Sequence, residues 1–87
     1  MTWTDFAKSA GTALDRLRAG KTTEIEVRRR GRVAVLRAAR SDERAGVVSV
    51  AELKRDRRAL AERVYLHGEA VRVSRYGLVE AVIEVRP

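Results

Sequence analysis

The sequence has no cysteine, one histidine, one proline and only 5% aromatic residues. Without thiols there is neither a disulfide frame nor a thiolate metal site, and a lone histidine cannot build an imidazole cluster around a metal. No apolar run reaches the roughly 18 residues that a membrane-spanning helix needs. The opening Met1-Thr2-Trp3-Thr4-Asp5 has no basic segment leading into an apolar one, so a soluble, cytoplasmic protein with no membrane partner is expected. At 87 residues the chain has room for one small domain and not for a large catalytic cleft. What is present is a 45% hydrophobic and 36% charged composition, too apolar for a disordered basic tail. Nineteen Lys and Arg against 12 Asp and Glu give a net charge of +7, which favours phosphate-bearing or acidic partners.

An internal echo runs along the chain. Trp3, Phe6, Ala10, Ala13, Leu14 and Leu17 recur 47 places later as Val50, Leu53, Arg57, Leu60, Ala61 and Val64. Both stripes repeat at steps of three and four, the spacing of an amphipathic helix with one buried face. Arg57 is the polar exception. Ser49-Val50-Ala51-Glu52 is a capping box, which fixes the start of the second helical segment. In the first segment Thr4 followed by Asp5 is the expected N-cap, and Ala10-Gly11-Thr12 is expected to interrupt the helix. Gly20 and Gly68 mark the two helix ends.

Strands follow each helical segment. Ile25 and Val27 alternate with Glu24, Glu26 and Arg28, and Arg30-Gly31-Arg32 turns the chain into Val33-Ala34-Val35-Leu36, a hairpin. In the second half Val71 and Val73 alternate with Arg72 and Ser74, Tyr76-Gly77 makes the turn, and Val79, Ala81, Ile83 and Val85 continue the pattern. Short leading strands are expected at Met1 to Trp3 and Gly46 to Val48. The expected fold is α+β, one compact domain over 1–87. It is built of a first unit 1–40, a linker 41–46 read as a loop or one helical turn, and a second unit 47–87, with hairpins packed on helices. Trp3, Phe6, Leu14, Leu17, Leu53, Leu60 and Val64 are the expected core between repeats or at a dimer interface.

These residues carry a resemblance. The order of helix, Ala19-Gly20, Glu24-Ile25-Glu26-Val27-Arg28-Arg29-Arg30-Gly31 and Val33-Ala34-Val35-Leu36 resembles the prevent-host-death (Phd/YefM) antitoxins. Ser49-Val50-Ala51-Glu52-Leu53-Lys54-Arg55 and Val73-Ser74-Arg75-Tyr76-Gly77 with Ala81-Val82-Ile83 resemble them a second time. The resemblance implies an α+β dimerisation domain that binds operator DNA, represses its own operon and neutralises a cognate toxin. Such antitoxins usually carry one copy followed by a flexible tail that wraps the toxin, whereas here a second copy stands in that place. A pseudo-dimer within one chain and a homodimer are both compatible with the repeat.

The basic residues can be read directly. Arg28, Arg29, Arg30 and Arg32 surround the first hairpin turn with no acid among them, a cluster suited to phosphate or to guanine edges. The plainer alternative is a solvated hairpin end. Lys54, Arg55, Arg57 and Arg58 form a second cluster, from which Lys54 and Arg55 match the family's basic helix start. Lys8 is the corresponding candidate in the first unit, and Arg75 matches the basic residue before the turn glycine. Residues 1–46 carry 11 basic and 6 acidic groups, a net +5, and residues 47–87 carry 8 and 6, a net +2, so the first half is the stronger DNA candidate. Tyr76 is expected to cover its hairpin, and His67 has no partner for chemistry. No acid, base and nucleophile set stands out, nor any glycine-rich phosphate loop, so neither an enzyme nor a cofactor is expected. The alternative to a DNA-binding antitoxin is a protein-interaction module whose basic face docks an acidic toxin or another protein.

Overall fold

Thr2 and Ser49 start the two helical segments. The Thr2 backbone is extended, and its hydroxyl accepts a hydrogen bond from the Asp5 N–H at 3.2 Å. The first N-cap is therefore Thr2 and not Thr4, which lets Trp3 enter the helix and turn its ring inward. Ser49 and Glu52 form the capping box read from the sequence. In the computed structural model, which describes residues 1–40 and 46–86, these caps open α1 (Trp3–Lys8) and α3 (Val50–Arg55). Each is followed by a second helix, α2 (Ala10–Arg18) and α4 (Arg57–Tyr65).

The bends between helices fall at Ser9 and Asp56, where ψ swings to 37° and 32°. Neither side chain caps the helix that follows, and serine and aspartate are weaker helix formers than the residues around them. The expected break at Ala10-Gly11-Thr12 is corrected by one step, since these residues are helical. Ala10 and Ala13 are fully buried there, and packing outweighs the cost of a helical glycine, about 1 kcal/mol. The bend at Asp56 had no anticipated counterpart.

Among the described residues five strands complete the fold: β1 (Glu24–Arg29), β2 (Arg32–Ala38), β3 (Gly46–Ser49), β4 (Val71–Arg75) and β5 (Leu78–Val85). They form one mixed sheet in the order β1-β2-β5-β4-β3. The hairpins β1-β2 and β4-β5 and the central β2-β5 pair are antiparallel, and β3 lies parallel to β4. At the opposite edge Thr2 makes a single parallel bridge to Arg28, so the leading segment is a strand in one half and an isolated bridge in the other. A register shift at Val73/Ser74 adds one residue to the second hairpin. Of the expected linker, Gly46 belongs to β3, and 41–45 lie outside the described residues.

Both hairpins turn on two residues. Arg30 and Gly31 have φ of 49° and 79°, Tyr76 and Gly77 53° and 78°. Positive φ at both central positions is the type I′ turn that matches strand twist. Arg29 pairs with Arg32 across the first turn, which shortens the expected Arg30-Gly31-Arg32 turn by one residue.

One core joins both halves. Trp3, Phe6, Leu14, Leu53, Leu60 and Val64 are buried in it, with Ile25, Val27, Leu36, Val71, Val73 and Ile83 from the sheet, and Leu17 is partly buried against it. Trp3 packs at a tilt on Phe6 and edge-on to Tyr65, with ring centroids 5.5 and 5.8 Å apart. Tyr65 crosses between halves, its hydroxyl donating to the Val27 carbonyl at 2.6 Å. The Trp3 indole N–H donates to the Arg57 carbonyl at 2.9 Å. Among the described residues no buried side-chain polar atom lacks a partner.

Candidate nucleic-acid interface

The first hairpin projects its arginines toward the start of α4. Thr2, Trp3 and Thr4 at the start of α1, Arg28, Arg29 and Arg30 at the hairpin end, and Arg57, Arg58 and Ala61 on α4 line an open groove of about 590 Å³. Alternation along β1 explains the spread: Ile25 and Val27 are buried while Glu26 and Arg28 are exposed, and the turn carries Arg30 beyond the sheet. Arg57 follows the buried stripe by its backbone, yet the residue is exposed, because a long side chain can leave an apolar surface by its tip.

Acids do little to neutralise this groove. Arg28 pairs with Glu26 at 3.6 Å and Arg58 with Glu62 at 3.9 Å, both through exposed side chains, where ion pairs are weak and screened. Among the described residues no acid lies within ion-pair distance of Arg29, Arg30 or Arg57. Arg29 stands near enough to Tyr65 to favour its phenolate, although burial dominates and pushes the Tyr65 hydroxyl up to about 12. Five guanidinium groups around one open groove form a surface that can hold several phosphate oxygens, each by paired donors.

The other expected contacts separate. Arg32 turns away from the groove, and its guanidinium donates to the Tyr65 carbonyl at the end of α4, a structural cap on a helix C-terminus. Arg55 pairs with Asp56 at 3.2 Å. Lys8 and Lys54 line a second groove of about 560 Å³ with Ser49, Ser74, Arg75 and Tyr76. Arg75 is engaged there: it pairs with Glu80 and Asp15, each at 2.8 Å, and donates to the Gly11 carbonyl at 3.3 Å. Its side chain is only 15% exposed, and Glu80 first, then Asp15, hold it protonated. A guanidinium committed to two carboxylates offers little to a phosphate. Tyr76 does not cover its hairpin, being 95% exposed.

Arg57 and Arg58 were visible as part of the second basic cluster, but their convergence with Arg28 to Arg30 was not. The pairing of helix starts and hairpin ends from different halves is a long-range contact that no local spacing encodes. Among the described residues no three His, Cys, Asp or Glu side chains gather to hold a metal, and no helix is long and apolar enough to cross a membrane. No protein-family model, curated protein or solved structure matches the chain.

Proposed function

We propose that the chain is a DNA-binding, antitoxin-like repressor made of two tandem Phd/YefM-like units that form a pseudo-dimer within one chain. It binds operator DNA upstream of its own operon, occludes the promoter and neutralises a cognate toxin. The observation that carries the DNA-binding part is the joint groove: Arg28, Arg29 and Arg30 come from one half, Arg57 and Arg58 from the other, and they face one open space. Further support comes from the net charge of +7 and from the central β2-β5 pair, which makes one sheet from the strands of both halves. Phosphate contacts through these arginines set affinity and orientation, while a few side chains at base edges supply sequence preference.

The test is a fluorescence-anisotropy titration against the DNA upstream of the coding sequence and a shuffled duplex of equal length, at several salt concentrations. Preference for the upstream duplex, with affinity falling steeply as salt rises, is the expected result. Equal and weak binding to both would refute operator recognition. A second reading is a protein-interaction module; its basic face would dock an acidic partner, and a separate, apolar surface favours docking of another protein. Leu78 is 67% exposed and Val79 40%, and they stand with Leu17 and Ala38 around an open apolar hollow. Complex formation that persists at high salt would distinguish that surface from the arginine groove.

A further inference from the structure

The two grooves occupy corresponding places in the two halves. Thr2 and Ser49 are both N-caps whose hydroxyl accepts from the N–H three residues on. Ser9 and Asp56 are both the bends between paired helices. Arg30-Gly31 and Tyr76-Gly77 are both two-residue turns with positive φ. By these markers Arg29 corresponds to Arg75, Arg30 to Tyr76, Arg57 to Ala10 and Arg58 to Gly11.

The chemistry at those places differs at every one. Arg29 is free of acids, whereas Arg75 is bound by Asp15 and Glu80. The exposed guanidinium of Arg30 is replaced by a phenol. Arg57 and Arg58 are replaced by a buried alanine and a glycine. The second groove keeps Lys8 and Lys54 as its free cations among the described residues, and each is a single flexible ammonium rather than a planar fork.

Resting on the DNA-binding reading above, we infer that only one of the two related grooves, the one lined by Arg28 to Arg30, Arg57 and Arg58, grips the phosphate backbone. The chain then engages DNA from one side, and the segment it contacts has no two-fold symmetry of its own. Both halves contribute to one shared core, while among the described residues only one groove carries unpaired guanidinium groups.

Two double variants of equal charge decide the matter on the full chain. Arg30→Ala with Arg57→Ala and Lys8→Ala with Lys54→Ala each remove two positive charges from exposed positions, so net charge cannot explain a difference between them. Both are titrated against the upstream duplex over a range of salt, with circular dichroism checking that each remains folded. The arginine pair is expected to lose about tenfold or more in affinity and to lower the slope of log affinity on log salt by about 2. The lysine pair is expected to change affinity less than about twofold and to leave the slope in place. Gly11→Arg, which places the residue type of Arg58 at the matching position, where an added Cβ would meet the Arg75 guanidinium at an ordinary 3.6 Å, is expected to raise the salt slope by about 1. Equal losses in the two double variants, or a larger loss in the lysine pair, would overturn the one-sided grip while leaving DNA binding intact. A wild-type chain that binds neither duplex would overturn the DNA-binding reading and this inference together.

Discussion

Leu36 stands directly opposite Ile83 where β2 meets β5, and both side chains are fully buried. Each is preceded two residues earlier by a fully buried alanine, Ala34 and Ala81. Among the described residues this is the one strand pairing that joins the halves, since the order β1-β2-β5-β4-β3 places each hairpin on its own side. Leu36→Ala should therefore weaken the whole molecule, by about 2 to 5 kcal/mol for a buried leucine. Denaturant unfolding followed by Trp3 fluorescence and by far-ultraviolet circular dichroism should give coincident transitions. Two separate transitions would show that the halves fold independently, against the shared core.

Trp3 is the only tryptophan, and its indole N–H reaches the Arg57 carbonyl at the start of α4. Trp3→Phe keeps an aromatic ring in the core but removes the indole donor to that carbonyl. A cost of about 1 to 3 kcal/mol is expected from the lost bond and the smaller ring. Chemical denaturation of the two proteins measures it. An unchanged midpoint would mean that water replaces the indole without loss.

The amphipathic stripes, the Ser49-Glu52 box and both glycine turns were legible in the sequence because each follows from local spacing. Strand order was not, since the β2-β5 pairing and the parallel β3-β4 pair join segments far apart along the chain. Nor was the role of Tyr65, which lies off the apolar stripes yet bridges to Val27 in the other half. For the candidate site, the charge run at Arg28 to Arg30 was readable, while the fate of single arginines was not. Arg75 and Arg29 look alike in sequence, and only the positions of Asp15 and Glu80 separate them.

Arg30 and Tyr76 hold left-handed backbone conformations, with φ of 49° and 53°. A side chain with a Cβ is disfavoured there, and asparagine tolerates the region best among them. Tyr76→Asn and Arg30→Asn should each stabilise the fold by about 0.5 to 1 kcal/mol, read as a rise in thermal midpoint. Arg30→Asn should at the same time weaken binding to the upstream duplex, separating stability from function at one residue. A drop in midpoint for both would show that their side chains make stabilising contacts which outweigh the backbone strain.

The Tyr65 hydroxyl is buried, donates to the Val27 carbonyl at 2.6 Å and has its pKa raised to about 12. Burial is the larger cause, and nearby Arg29 opposes it. In the unfolded chain a tyrosine ionises near pH 10, so the folded state holds its proton more tightly. That contribution to stability is complete below about pH 10 and is lost as pH climbs through about 12, with a size on the order of 2 kcal/mol. Urea midpoints measured from neutral to about pH 11 should accordingly fall more steeply for the wild type than for Tyr65→Phe, which has no proton to lose. The phenylalanine variant should be the less stable of the two at neutral pH, by about 1 kcal/mol for the missing hydrogen bond. In a Tyr76→Phe background, tyrosinate absorbance then reports Tyr65 alone and should rise together with the loss of folded signal. Parallel decline of both proteins with pH would assign the alkaline instability to other groups and remove Tyr65 as its source.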